Sequence, residues 1–179
     1  GQMWAGTWGG GLVRFEPLSG RFEIFKYEAT LPVNGFRNHI KQLKWINDEE
    51  LWIIAPYRGL GVFNTRIKRF RFIDSPETGK TRITNPTFII TDSSGFVCLA
   101  SHSSGIYTTN LKASVFNKVE LPCALRIIRP DPVSGQLIAA TSNSNSRLLK
   151  IDPFTRVFSE YSYTPLADKS ENYFIEILP

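Results

Sequence analysis

The 179-residue chain has few of the residues that most often carry metal or redox chemistry. It contains two histidines and two cysteines, and neither histidine belongs to a motif with metal-ligand spacing. No apolar run approaches the roughly 18 residues of a membrane-spanning helix, and no basic leader precedes an apolar segment in the first residues. These shortages predict a domain with no metal, no cofactor and no direct insertion into a membrane.

The net charge of +5 and the pI near 9.3 raise the question of a nucleic-acid partner. Basic residues are scattered, apart from the run RIKRFR at 66–71. That run fits two strands joined by a turn, in which alternate residues face water while Phe70 and Phe72 face inward. We therefore interpret the run as a solvated surface and expect no nucleic-acid partner.

The chain does contain a repeated unit. Residues 4–15 align without a gap on residues 52–63, an offset of 48; a third copy begins 46 residues later and a fourth, degenerate copy 40 residues after that. Helical periodicity of 3.6 residues is missing, and each copy alternates as strands do. A strand-rich period of about 40–50 residues is typical of a β-propeller, with about four antiparallel strands in each blade. Four residues should then occupy equivalent buried positions: Trp4, Trp52, Cys98 and Ile138.

The strand signals divide the chain into four repeat units and a remainder. The first unit carries three strands and each of the next three carries four, while 173–178 predicts a first strand with no blade behind it. The last strand could close onto the first unit to give a four-bladed ring, or the chain could be an arc of a larger propeller. If the ring does not close within one chain, the unpaired strand edges of the first unit and of 173–178 should pair with other propeller blades or with a second copy of the chain. The first residues enter the repeat at once, as a trimmed fragment would. The units span about 1–27, 39–74, 87–120 and 123–162.

The first copy also carries a family resemblance. The segment 4–16, WAGTWGGGLVRFE, followed by Gly20-Arg21-Phe22, resembles the two-component regulator propeller repeat, which reads W-x-G-T-x-G-G-G-L-x-x-F-[D/N] and then G-x-F. That repeat builds the periplasmic sensor regions of hybrid histidine kinases that are common in Bacteroidetes. The resemblance implies a non-catalytic, periplasmic sensing module of an inner-membrane signalling protein. It specifies architecture and no ligand, because its Trp, Gly, Leu and Phe positions are packing positions.

Loop residues provide the candidate binding site. In a propeller, the hairpins between second and third strands gather with the inter-blade loops on one face around the axis. Aromatic faces beside amide and guanidinium donors suit polar ligands such as sugars, so we expect an oligosaccharide ligand. The hairpins offer Trp8, Tyr57, Arg58, His102 and Asn143, and the inter-blade loops offer Arg37, Asn38 and Asn85.

The sequence leaves open two other functions and the question of a disulfide bond between Cys98 and Cys123. A propeller-type lyase or glycosidase would need a cluster of His, Asp or Glu side chains at one opening of the central channel. His102 lies beside Ser103-Ser104, but the sequence there does not match the Gly-x-Ser-x-Gly motif of a nucleophile elbow. A protein-interaction scaffold would show a broad apolar surface patch. Cys98 takes the position of a packing residue, and whether it pairs with Cys123 depends on a separation that the sequence does not fix.

Overall fold

The structure is a computed structural model in which every element is a β-strand. It describes residues 1–27, 38–56, 58–73, 83, 85–92, 94–102, 105–110, 116–121, 123–141 and 147–161. No helix occurs in these ranges, so none of the described segments can cross a membrane as a helix. The predicted strand 173–178 lies outside the described residues. The alternatives of a closed four-bladed ring and an arc of a larger propeller depend on that strand, so both stay open.

Within the described residues, fifteen strands form four antiparallel sheets, and in each sheet every strand pairs with its neighbours in the chain. The chain divides into two compact units, 1–75 and 76–179. The first unit holds sheet I and sheet II, and the second holds sheet III and sheet IV. Sheet I is β1 (Met3–Gly6), β2 (Leu12–Glu16) and β3 (Arg21–Phe25); sheet II is β4 (Gln42–Trp45), β5 (Glu50–Ala55), β6 (Gly59–Asn64) and β7 (Arg69–Phe72). Sheet III is β8 (Pro86–Thr91), β9 (Phe96–Ser101), β10 (Gly105–Asn110) and β11 (Asn117–Val119); sheet IV is β12 (Leu125–Pro130), β13 (Leu137–Thr141), β14 (Leu148–Ile151) and β15 (Phe158–Glu160).

The predicted count of three, four, four and four strands is confirmed, and most boundaries differ by one or two residues. The first strand of sheet II begins at Gln42, whereas the second repeat unit is predicted to begin at about residue 39. The reason is a change of partner. The Ile40 amide donates to the Thr7 carbonyl of sheet I at 2.9 Å, and the ladder with β5 starts only at Lys41, whose amide donates to Ile54 at 2.8 Å.

The four repeat positions are equivalent in register, but they are not equally buried. Trp4 lies opposite Arg14, Trp52 opposite Val62, Cys98 opposite Thr108 and Ile138 opposite Lys150. Trp52 and Cys98 are buried, as predicted, whereas Trp4 and Ile138 are only half-buried. Trp4 stands in an edge strand of a three-stranded sheet, and Ile138 points away from the cluster between sheets III and IV.

Each sheet has two faces that the repeat distinguishes. We call the face that carries Trp4, Leu12 and Phe25 in sheet I the trailing face, and the face that carries Leu51, Ile53 and Phe63 in sheet II the leading face. In the first unit, the trailing face of sheet I packs on the leading face of sheet II. Phe63 anchors this contact, with its ring centroid 5.7 Å from that of Trp4 and 4.8 Å from that of Phe25.

The second unit repeats this arrangement of faces with aliphatic side chains. The trailing face of sheet III packs on the leading face of sheet IV in one buried cluster. Sheet III contributes Cys98, Ala100, Ile106 and Val119, and sheet IV contributes Leu137, Ala139, Leu149 and Ile151. The two units thus use one rule for stacking consecutive blades, and the identity of the side chains is free to vary.

Candidate functional site

An exposed indole on a buried imidazole is the central feature of the first unit's loops. Trp8 follows β1 in the hairpin to β2, and 65% of its surface is exposed. Its ring stacks on His39, with 4.3 Å between centroids and 29° between planes, and His39 itself is buried. Gly9, Gly10 and Gly11 follow, so no side chain from the rest of the hairpin covers the indole. We call Trp8 and His39 the aromatic platform.

Hydrogen bonds of Asn38 and Tyr27 hold the chain segment that carries His39 in place. Asn38 has φ of 55°, a left-handed conformation that asparagine tolerates better than most residues. Its carbonyl accepts from the Gly11 amide at 3.0 Å, and its Oδ1 accepts from the Tyr27 amide at 2.8 Å. The Tyr27 hydroxyl donates to the His39 carbonyl at 3.3 Å. The buried Asn38 side chain therefore positions the platform, and the prediction that Asn38 also contacts a ligand stays a prediction.

The second unit joins its hairpin to its inter-blade loop in a similar way. The His102 amide donates to the Asn85 carbonyl at 3.0 Å, and Asn85 also adopts positive φ, at 42°. Both side chains are exposed. The predicted proximity of hairpins and inter-blade loops is thus found in each unit taken by itself, for Trp8 with Asn38 and for His102 with Asn85.

The other predicted site residues are either engaged in packing or outside the described residues. The Arg58 guanidinium lies over the Phe72 ring, 4.5 Å from its centroid, so the cation contacts its own blade. Tyr57, Arg37 and Asn143 lie outside the described residues. Whether any of these residues binds a ligand stays a prediction.

A second aromatic surface lies at the β4–β5 turn. A shallow depression of about 440 Å³ is lined by Trp45, Ile46, Asn47 and Asp48. The Asn47 side chain is engaged in the turn, because its Oδ1 accepts from the amides of Glu49 and Glu50, each at 2.9 Å. Trp45 is half exposed and meets Trp4 edge-on, with 6.3 Å between centroids. The depression therefore offers the Trp45 ring and the Asp48 side chain to a ligand, while Asn47 Oδ1 is held by the turn.

The described side chains provide little for covalent or metal chemistry. Across those ranges no group of three His, Cys, Asp or Glu residues could hold a metal ion. Cys98 and Cys123 are both free thiols, so the open question of their pairing is answered. Burial raises the pKa of the Cys98 thiol, and burial also raises that of Cys123. A thiol that stays protonated is a poor nucleophile.

Sequence reasoning missed two residues of these surfaces. No local pattern predicts that His39 supports Trp8, because the contact joins residues 31 positions apart. Its position directly after Asn38 is the one available signal. Trp45 is not among the site residues that the sequence predicts, and its exposure follows from its place at the end of β4, beside the turn.

Comparisons with solved structures show this fold in bacterial extracellular domains. The extracellular domain of BT3049 from B. thetaiotaomicron, described as a hybrid two component system, matches 94% of the chain with a TM-score of 0.69 and 17% identity. The extracellular domain of BT4673 from the same organism, also described as a hybrid two component system, matches 89% with a TM-score of 0.65 and 16% identity. No family model and no curated protein matches the chain.

A designed protein shares the fold as well. The computationally designed Ika4 protein matches 82% of the chain and 83% of its own length, with a TM-score of 0.55 and 10% identity. The chain spans only 23% of the BT3049 domain and 20% of the BT4673 domain. Identities this low show a common fold. They agree with the resemblance that the WAGTWGGGLVRFE segment carries.

Proposed function

We propose that this chain is part of the extracytoplasmic sensor region of a two-component signalling protein, and that its aromatic platform contacts a carbohydrate. The observation that carries the proposal is the stacking of exposed Trp8 on buried His39. The two longer domains with this fold, BT3049 and BT4673, are described as extracellular domains of two component systems. That description and the repeat motif support a periplasmic location and a sensing role.

The platform suits a sugar for three reasons. A flat indole offers apolar area to the C–H face of a pyranose ring. The stack on His39 and the hydrogen bonds of Asn38 hold the indole in one orientation, so little conformational entropy is lost when a ligand binds. Gly9 and Gly10 carry no side chains and Gly10 is exposed, so a ligand can approach the indole from that side of the hairpin.

Calorimetric titration of the full chain with a panel of neutral and acidic oligosaccharides tests the platform. We expect saturable heat with at least one member and a loss of at least tenfold in affinity for Trp8→Ala. Trp45→Ala is the matched control, because it removes the other exposed tryptophan and leaves the platform intact. Loss of binding in Trp45→Ala but not in Trp8→Ala would show that the carbohydrate binds at the depression beside Trp45 and not at the platform. An absence of heat with every sugar would contradict the carbohydrate ligand.

We also propose that the chain is not catalytic. The His102 side chain is exposed in a turn, and the Cys98 thiol is buried, where burial raises its pKa and keeps it protonated, so neither offers an activated nucleophile in a pocket. Incubation with the same sugars, followed by mass spectrometry, should show no products. Turnover that disappears in His102→Ala would restore the lyase or glycosidase function.

A further inference from the structure

Two cations lie together at the end of β5, beside the aromatic platform. The Lys41 amide donates to the Ile54 carbonyl at 2.8 Å. The Arg58 amide donates to the next carbonyl along β5, that of Ala55, at 3.0 Å. His39 of the platform precedes Lys41 by two residues, so the platform and both cations occupy one end of the first unit. We call it the hairpin end, because the β1–β2 and β5–β6 hairpins meet the start of β4 there.

The path of the chain places the Lys41 side chain on the same side as His39. The Ile40 amide donates toward sheet I, to Thr7, whereas the Lys41 amide donates toward β5. Consecutive amides that point in opposite directions are a property of extended chain, in which side chains two positions apart share a side. The exposed Lys41 side chain therefore lies on the side of the chain that carries the His39 ring against Trp8.

A third cation, Lys26, lies beside the hairpin that carries Trp8. It follows the last residue of β3, and its side chain is exposed. Its Cγ atom is 3.4 Å from the position that a Cβ atom on Gly11 would take, so the stem of Lys26 lies against the backbone of this hairpin. Among the described residues no acidic side chain forms an ion pair with Lys26.

Two aromatic rings connect Arg58 to the platform. The Arg58 guanidinium covers the Phe72 ring, and the centroid of that ring is 5.1 Å from the centroid of Tyr27. The Tyr27 hydroxyl in turn donates to the His39 carbonyl. Stacking on Phe72 holds the guanidinium in one orientation, and the group keeps its positive charge whatever hydrogen bonds it makes.

The acidic side chains of the first unit lie elsewhere. Those that the structure describes are Glu16, Glu23, Asp48, Glu49 and Glu50. All but Glu23 lie at the opposite ends of the strands, beside the β2–β3 and β4–β5 turns. Glu23 lies in the middle of β3, where its carboxylate binds Arg14 at 2.8 Å and Lys68 at 2.7 Å. The hairpin end therefore combines an aromatic platform with three cations, and its described residues contribute no negative charge.

We propose that the carbohydrate bound at the platform is anionic, with carboxylate or sulfate groups among Lys26, Lys41 and Arg58 and a pyranose ring stacked on Trp8. The inference rests on the proposed function and adds to it the charge of the ligand. Uronic acids and sulfated sugars combine an apolar C–H face with fixed negative charge, so they match both the indole and the cations. The surplus of positive charge also attracts such a ligand from a distance, and salt screens that attraction.

Calorimetric titration of the full chain with matched pairs of sugars tests the charge of the ligand. The pairs are oligogalacturonate with its methyl ester, a hyaluronan oligosaccharide with its carboxyl-reduced form, and a sulfated cello-oligosaccharide with the unsulfated one. The first two pairs report carboxylate binding and the third reports sulfate binding. In about 0.01 M salt, where the Debye length is about 30 Å, we expect an acidic member to bind about tenfold more tightly than its neutral partner. In about 1 M salt, where that length is about 3 Å, the difference should fall to about twofold or less.

Variants at the two ends of β3 locate the charge that matters. Lys26→Met keeps most of the side-chain stem and removes the ammonium, so it should weaken binding of the acidic sugar about threefold and leave the neutral partner unchanged. Lys26→Arg keeps the charge and should retain the affinity. Arg21→Met is the matched control, because Arg21 is exposed at the opposite end of the same strand and its loss lowers the net charge equally. It should bind as the wild type does.

The outcomes separate this inference from the proposed function. Neutral sugars that bind as tightly as their acidic partners would overturn the anionic ligand and leave the carbohydrate-binding platform standing. An equal loss of affinity in Arg21→Met and Lys26→Met would also overturn it, because the attraction would then come from the net charge of the protein. An absence of binding with every pair would overturn both the inference and the proposed function.

Discussion

The carbonyl oxygen of Phe25 lies so close to Gly11 that a Cβ atom on residue 11 would overlap it. Gly11 also has φ of +93°. In the third sheet, Val119 and Gly105 stand in the same relationship, with φ of +86° at the glycine. The close approach lets the outer strand reach the end of the hairpin, so the repeated glycine is a requirement of the backbone.

Gly11→Ala should therefore destabilise more than an alanine at another glycine with positive φ. Gly20 has φ of +67° and open space around its Cα, so Gly20→Ala carries only the conformational cost of about 1 kcal/mol. For Gly11→Ala we expect more than about 2 kcal/mol, because overlap with Phe25 is added to that cost. Urea unfolding followed by circular dichroism measures both. Equal losses would mean that the Phe25 carbonyl moves away freely.

Trp52→Ala should remove a large part of the stability. Trp52 is buried in β5, and truncation of a buried tryptophan leaves a cavity that costs roughly 3–5 kcal/mol. Trp8→Ala is the control, because the exposed indole should cost less than about 1 kcal/mol. The comparison uses the free energy of unfolding in urea. A loss below about 1 kcal/mol for Trp52→Ala would show that neighbouring side chains fill the space.

Arg156→Gly should stabilise the protein. Arg156 ends the turn between β14 and β15 with φ of 64°, and Gly20 has nearly the same φ in the corresponding turn of sheet I. Glycine adopts the left-handed conformation without the strain that a Cβ atom causes, which stabilises the folded state. Because glycine also has more conformational freedom in the unfolded chain, the net gain in the free energy of unfolding is about 0.5–1 kcal/mol. Arg156→Ala removes the same guanidinium but keeps a Cβ, and it should give no gain. A thermal melt in which both variants shift equally would attribute the effect to charge.

Acid should weaken the turn that follows β14. The backbone amides of Thr155 and Phe154 donate to Asp152 Oδ1 at 3.0 and 2.8 Å, and these bonds lower the pKa of the carboxyl. Because the folded-state pKa lies below the unfolded value, the contribution is present above the unfolded pKa of about 4 and is lost as pH falls through the folded value. Asp152→Asn should reduce the fall in the urea midpoint between pH 5 and pH 2.5. An unchanged fall in this variant would contradict the prediction.

The sequence predicts the sheets well because the repeat aligns without gaps. Residues 4–15 and 52–63 share one spacing, so Trp4 and Trp52 take one register position, and the glycine that ends each hairpin falls at Gly11 and Gly59. Burial is less predictable, because it depends on the neighbouring sheet. Phe22 and Phe70 occupy the same repeat position, yet Phe22 is exposed and Phe70 packs on Phe63. The pairing of Trp8 with His39 also depends on the path of an intervening loop.

The uneven distribution of two residue types makes the two compact units separately observable. All four tryptophans, at positions 4, 8, 45 and 52, lie in the first unit, and both cysteines lie in the second. Tryptophan fluorescence, excited selectively, therefore reports the melting of the first unit, while the rate at which a thiol reagent reaches Cys98 reports the opening of the second. The unmodified chain thus carries its own pair of orthogonal probes. Superposition of the two curves would establish a single cooperative transition, and separation would reveal a half-folded intermediate.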